Sequence, residues 1–216
     1  MNKRGGELIR AVANGDVAAA ERSIRRGADP NARDARGVPP LFHAALRADV
    51  DMVSALIRMG ADPQAQEPSF GRNALGHLLH HHPPGVSPDR LAATARLLIA
   101  RGLKPDQRPR PDYVSPWWNA LGDHRCTAVV QAMLESGVDP NTPLAADTNY
   151  TPLMEAATNR CVETVKLLLA AGADPGATTT SGATAARMIE EPDTNNPEWD
   201  NWSPQATAEV LRLLRE

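Results

Sequence analysis

Short amphipathic segments recur along the chain, and their apolar residues have the spacing of helices. In the clearest copy, Leu153, Ala156 and Ala157 follow i, i+3, i+4 spacing and predict one short helix. A second helix is predicted from the next apolar stripe, which consists of Val162, Val165, Leu168 and Leu169. The pattern therefore predicts pairs of short helices, each with one apolar face.

Capping residues mark where these helices begin and end. Thr151 is suited to a helix N-cap, and Pro152 fits the first helical turn. Gly172 predicts the end of the second helix, because glycine tolerates the left-handed conformation that follows a helix C-terminus. Asp174-Pro175 then predicts a turn.

This helix-ending phrase recurs at a regular period. Its copies are Gly27-Ala28-Asp29-Pro30, Gly60-Ala61-Asp62-Pro63, the degraded Gly102-Leu103-Lys104-Pro105, Gly137-Val138-Asp139-Pro140 and Gly172-Ala173-Asp174-Pro175. The glycines are 33, 42, 35 and 35 residues apart. An insertion at residues 80–86 explains the longest interval. A period of this kind predicts a solenoid of stacked units.

The two ends of the chain depart from the repeat. The first copy lacks the Thr-Pro opening, which is expected of a capping unit. Ser87-Pro88 restarts a helix after the insertion, and Ser203-Pro204 caps a final helix after the irregular stretch 191–202. Because no further Gly-Asp-Pro follows, we expect the last copy to be the other cap.

The copies together resemble the ankyrin repeat, whose commonest form is a G-x-T-P-L-H-x-A-A helix, a second helix with paired leucines and a G-A-D-P-N ending. The second copy reads Gly37-Val38-Pro39-Pro40-Leu41-Phe42-His43-Ala44-Ala45, and the first ends in Gly27-Ala28-Asp29-Pro30-Asn31. The resemblance implies an all-α solenoid of about six repeats with atypical N- and C-terminal capping repeats. It implies one domain, 1–216, with repeats at roughly 4–33, 34–66, 67–108, 109–143, 144–178 and 179–216.

The resemblance also implies that the first helices and the hairpin tips form the partner-binding side. The residues before each Ala-Ala pair, or its equivalent, are Arg10, His43, His77, Asn119, Glu155 and Met188. This row passes from basic to acidic, which favours an oriented, charged partner, although a solvated face without a partner has the same residue types. Our candidate contact residues are Arg10, Arg36, His43, Arg72, His77, Tyr113, Asn119, Tyr150 and Glu155.

Aromatic residues leave two interpretations open. Tyr113 and Tyr150 occupy matching tip positions, where tyrosine serves an interface or packs on the next hairpin. Trp117 is expected in the core. Trp118 either packs between helices or reaches the binding groove, and we favour the core for both. Trp199 and Trp202, in an acidic loop, either pin that loop to the last repeat or anchor a partner.

Candidate chemistry is sparse. His77, His80, His81 and His82 form the one metal-like cluster, yet no third ligand is evident beyond it, so a solvated helix end is the simpler interpretation. Cys126 and Cys161 are 35 residues apart, at equivalent places too distant for a disulfide. With neither a phosphate loop nor a nucleophile turn, we predict no catalytic residues, metal or cofactor.

Charge and composition exclude further classes. The 216 residues carry a net charge of −3 at a pI near 6.1, which argues against a nucleic-acid partner. No apolar run is long enough to span a membrane, no secretory signal is evident, and reduced cysteines indicate a cytoplasmic protein. The usage of Ala, Arg and Pro is typical of GC-rich bacteria.

The sequence therefore predicts a non-enzymatic protein-binding module that is monomeric when alone. We favour a cytosolic inhibitor or immunity-type protein, because the chain is a small isolated domain without an appended effector. A regulatory or scaffolding adaptor is the alternative, and a metal- or thiol-dependent enzyme is a third hypothesis. Fold alone does not choose among them.

Overall fold

The computed structural model describes residues 3–81, 85–110, 113–190 and 203–216, and its regular structure there is helical. The helices are α1 (Lys3–Ala13), α2 (Val17–Arg25), α3 (Pro40–Leu46), α4 (Val50–Arg58), α5 (Ala74–His81), α6 (Pro88–Ala100), α7 (Pro116–Leu121), a 3-10 turn (His124–Cys126), α8 (Thr127–Glu135), α9 (Pro152–Thr158), α10 (Val162–Ala170), α11 (Ala185–Glu190) and α12 (Pro204–Arg215). In these ranges, β structure is limited to an isolated bridge between Ala145 and Tyr150.

The chain divides into two compact units, an amino-terminal unit (Met1–Asn119) and a carboxy-terminal unit (Ala120–Glu216). In the amino-terminal unit, α1, α3 and α5 pack in one file, and α2, α4 and α6 pack in another. In the carboxy-terminal unit, α9 packs on α11, and α10 packs between α8 and α12. Each unit therefore consists of stacked helix pairs, as the sequence predicts. The repeat boundaries stay a prediction.

Apolar side chains between the paired helices form each core. In the amino-terminal unit, Phe42 of α3, Leu75 of α5 and Leu98 of α6 are fully buried. Trp117 is also buried, as expected. In the carboxy-terminal unit the core includes Val129, Met133, Leu153, Met154, Val165, Leu168 and Val210. Burial of these side chains supplies the main stabilising term, because no single helix pair can bury its apolar face alone.

The predicted helix ends are confirmed. The side-chain oxygen of Thr151 accepts from the backbone N–H of Met154 at 3.3 Å, which caps α9. Ser87 and Ser203 cap α6 and α12 in the same way. Gly172, at φ +90°, follows α10 in the left-handed region.

Both cysteines are free and buried near the start of a second helix, as predicted. Cys126 precedes α8, and Cys161 precedes α10. Burial raises the pKa of each thiol to about 12. Both are therefore protonated at neutral pH and contribute to packing.

Candidate protein-binding surface

The predicted row of first-helix residues is only partly exposed. Arg10 is exposed, whereas His43, His77, Asn119 and Glu155 are half-buried. Met188 of α11 is half-buried as well. Most of the row is therefore less exposed than a solvated face. His43 lies 3.1 Å from Asp34, and the ring of His77 lies 5.4 Å from that of Phe42.

Asp34 organises the loop before α3. Its carboxylate accepts the backbone N–H groups of Arg36 and Val38 at 2.8 and 2.9 Å, and His43 Nε2 lies 3.1 Å away. Burial opposes ionisation of Asp34, but the two backbone donors and His43 outweigh it and lower its pKa. Asp34 thereby holds the loop and leaves the Arg36 side chain exposed.

Arg72 is buried, and its predicted place at an exposed hairpin tip is wrong. It is 8% exposed, and its guanidinium carbon lies 4.5 Å from the Phe70 ring centre and 5.8 Å from that of Tyr113. The two rings meet edge-on at 5.4 Å. Arg72 Nη1 also donates to His81 Nε2 at 3.0 Å. We call Phe70, Arg72 and Tyr113 the aromatic–arginine cluster, in which the cation stabilises both rings.

The histidines near this cluster form a packed group. His77 lies 5.4 Å from the Phe42 ring and 4.9 Å from His81, whose ring is 4.5 Å from His80. Burial, and then the charge of His81, lowers the pKa of His77 to about 4. Burial and Arg72 lower those of His80 and His81. Across the described parts of the chain, no three metal-binding side chains converge, while His82 lies outside those parts.

Two adjoining depressions on the amino-terminal unit, which we call the loop trough, share Gln66, Gly71 and Pro109. Amide side chains line the first depression, namely Gln64, Gln66, Asn73, Gln107 and Asn119. Arginines line both, namely Arg33, Arg72, Arg108 and Arg110. The lining of the trough includes two of our candidates, Arg72 and Asn119. Tyr113 is not part of the lining, but its ring centre lies 5.8 Å from the guanidinium carbon of Arg72.

The two candidates of the carboxy-terminal unit are held by local hydrogen bonds. Tyr150 is half-buried, and its hydroxyl lies 3.0 Å from Thr158 Oγ1. Burial raises the pKa of Tyr150. Glu155 Oε1 accepts from Asn159 Nδ2 at 3.1 Å. These contacts fix the orientation of both side chains.

Two exposed hydrophobic residues were not identified from the sequence. Phe70 and Val114, at 38% and 37% exposure, are the exposed large hydrophobic residues of the described ranges. The sequence feature that could have indicated Phe70 is its place as a lone aromatic residue at the end of the stretch Pro68-Ser69-Phe70. Trp199 and Trp202 of the acidic loop lie outside the described residues.

Comparisons with known proteins agree with this architecture. Family models for ankyrin repeats match residues 8–57 and 89–179, which together exceed half of the chain. The chain belongs to the ankyrin-repeat family. No curated protein sequence shows significant similarity to it.

Solved structures share the fold at low sequence identity. A chain in the structure of the Bd0816 predatory endopeptidase from Bdellovibrio bacteriovorus, in complex with immunity protein Bd3460, is 18% identical with a TM-score of 0.70; the match covers 97% of this chain and 96% of that one. The ankyrin-repeat domain of Bcl-3, a member of the IkappaB family, is 23% identical with a TM-score of 0.67, covering 97% and 98%.

Family membership identifies the chain as a protein-binding module. Ankyrin repeats are typically non-enzymatic scaffolds for protein interaction. None of the helices in the described ranges is long and apolar enough to cross a membrane.

Proposed function

We propose that this chain is a cytosolic inhibitor of the immunity type, monomeric when alone, which binds one partner protein through its amino-terminal unit. The observation that carries the proposal is the position of Phe70 and Val114. Both are exposed large hydrophobic residues, and Val114 lines the loop trough. Aromatic side chains and arginines are enriched at protein interfaces, and this surface has both.

The contacts around the trough favour tight binding. The Phe70 and Tyr113 rings are held by Arg72, and Arg33 donates to the Gln66 carbonyl at 3.1 Å. A surface that is already ordered loses little conformational entropy when a partner binds. We expect Arg10, Arg36, His43, His77 and Asn119 to contact the partner around this centre. Tyr150 and Glu155 are our candidate contacts on the carboxy-terminal unit.

One comparison favours inhibition as the outcome of binding. A solved structure with this fold, from Bdellovibrio bacteriovorus, is that of an endopeptidase in complex with an immunity protein. The cytosolic part of the proposal is supported by two free buried thiols, which suit a reducing compartment.

An adaptor is the second candidate, because the two units differ in charge. Residues 1–119 contain 17 Lys and Arg against 12 Asp and Glu, whereas residues 120–216 contain 6 against 14. Surfaces of opposite sign favour partners of opposite sign. One chain with two such units therefore also suits the linking of two proteins.

Affinity capture from the cells that produce the chain, followed by assay of the captured partner, tests the proposal. We expect a one-to-one complex in which the partner's own activity is lost. A double change, Phe70→Ala with Val114→Ala, is expected to weaken the complex by about tenfold or more. A partner that stays fully active in the complex would contradict inhibition, and two simultaneous partners would favour the adaptor.

A further inference from the structure

We infer that the loop trough binds an extended, acidic segment of the partner that carries an apolar anchoring residue. This inference rests on the proposed function and specifies what the partner presents. It follows from the charge of the trough, from its amide side chains and from the apolar residue at its side.

Charge complementarity is the first step. Four arginines line the trough, and Glu67 is the one carboxylate among the described residues that line it. Glu67 is buried, and its two oxygens accept the backbone N–H groups of Ser69 and Phe70 at 2.9 and 2.8 Å. Its charge is therefore directed into its own loop.

The arginines at the second depression are held by backbone carbonyls. Arg33 donates to the carbonyls of Gly37 and Gln66 at 2.7 and 3.1 Å, and Arg110 donates to that of Pro68 at 3.5 Å. Carbonyl contacts position a guanidinium without neutralising its charge. The trough therefore presents fixed positive charge, which is complementary to carboxylates.

The amides indicate an extended backbone. Gln64, Gln66 and Gln107 are exposed where they line the first depression. An amide side chain offers both donors and an acceptor, which match the alternating N–H and C=O groups of an extended peptide.

Gln64 departs from the asparagine of the repeat phrase. It stands two residues after Asp62, where the equivalent Asn31 and Asn141 hydrogen-bond to the next repeat. The longer Gln64 side chain lies beside Gly102 of the next repeat and lines the trough. The departure from the repeat thus coincides with the trough.

The apolar contacts favour a peptide over a nucleic acid. Val114 provides an aliphatic surface at 37% exposure, which suits an apolar side chain. Arg72 lies over the Phe70 ring at 4.5 Å, so that one face of this ring is covered. Single-stranded nucleic acids bind through bases stacked on open aromatic faces.

Fluorescence anisotropy with three labelled probes tests the inference on the full chain. The probes are the hexapeptide EDLFED, its neutral counterpart QNLFQN and oligothymidine. At low ionic strength we expect EDLFED to bind about tenfold more tightly than QNLFQN, which corresponds to two or three exposed ion pairs. Equal binding of the two peptides, or tighter binding of oligothymidine, would overturn the inference.

A matched pair of variants locates the site. The change Arg108→Glu with Arg110→Glu is expected to abolish the preference for EDLFED. The control Arg26→Glu with Arg101→Glu makes the same change in charge at the ends of α2 and α6 and should keep the preference. If both variants lose the preference equally, the overall charge of the protein causes it, and the inference is overturned. Circular dichroism checks that both variants remain folded.

The same variants separate this inference from the proposed function. If Arg108→Glu with Arg110→Glu leaves partner binding and inhibition unchanged, the inference of an acidic segment is refuted and the proposed inhibitor function is kept. If EDLFED binds as expected but the captured partner stays active, the inhibitor function is refuted and the inference about the trough is kept.

Discussion

Asn141 joins one repeat to the next through Gly172. Its side-chain N–H donates to the Gly172 carbonyl at 2.9 Å, and its Oδ1 accepts the backbone N–H of Asp174 at 2.9 Å. Asn31 makes the same pair of contacts with Gly60 and Asp62, at 3.0 and 2.8 Å. The asparagine that ends the repeat phrase is thus a clamp between successive turns.

Removal of this clamp should destabilise the carboxy-terminal unit. We expect Asn141→Ala to lower the free energy of unfolding by about 1–3 kcal/mol, because two backbone groups lose their partner. Urea denaturation followed by circular dichroism measures the change. Gln64→Ala is the control at the equivalent position, and its expected effect is within about 0.5 kcal/mol. Equal effects of the two changes would contradict the clamp.

The backbone at Gly172 predicts a second loss of stability. A Cβ there would meet no atom within 4 Å, so any penalty arises from the φ of +90° alone. We expect Gly172→Val to cost about 1–3 kcal/mol and Gly172→Asn to cost less, because asparagine tolerates positive φ better. The thermal unfolding midpoint should be highest for the parent with glycine, lower for the asparagine variant and lowest for the valine variant. A valine variant as stable as the parent would contradict the assignment of Gly172 to the end of α10.

The sequence predicted the local structure well for a physical reason. Thr151 and Gly172 act within one turn of their own helix, so residue type alone predicts their role. The Asn141 clamp was not predicted, since it depends on the distance between successive repeats. Its partner lies 31 residues away in the chain.

The buried thiols should react slowly. Cys126 and Cys161 are at most 1% exposed, and burial raises their pKa values from 9.0 to about 12. This lowers the thiolate fraction roughly a thousandfold at neutral pH, in addition to the steric protection. A chromogenic disulfide reagent should label two thiols rapidly in concentrated guanidinium chloride and almost none in buffer. Rapid labelling of the folded chain would contradict this burial.

The histidine group predicts loss of stability in acid. Folding lowers the pKa of His77 from 6.5 to about 4, so the unfolded chain binds the proton more readily. The contribution is complete above pH 6.5 and is lost as the pH falls towards 4. We expect His77→Gln to reduce the slope of unfolding free energy against pH in this window. His124→Gln, at an exposed position, is the control, and an unchanged slope in His77→Gln would refute the assignment.

The surface was harder to predict than the fold. Arg72 is a charged residue in a predicted hairpin tip, where an exposed side chain is expected. Phe70 and Tyr113 cover it instead, and Tyr113 is 41 residues from Arg72 in the chain. Burial of a polar side chain depends on which distant residues the stack brings beside it. Gln64 gave a usable signal, because it departs from the asparagine of the repeat phrase.

Hydrogen exchange of the chain, alone and bound to its captured partner, tests the central claim most directly. The account predicts slower exchange on binding at residues 64–72 and 105–110, which contain most of the residues that line the loop trough. The second helices α2 and α4 should exchange as in the free chain. Protection confined to those helices, with the trough unchanged, would contradict the claim that this surface binds the partner.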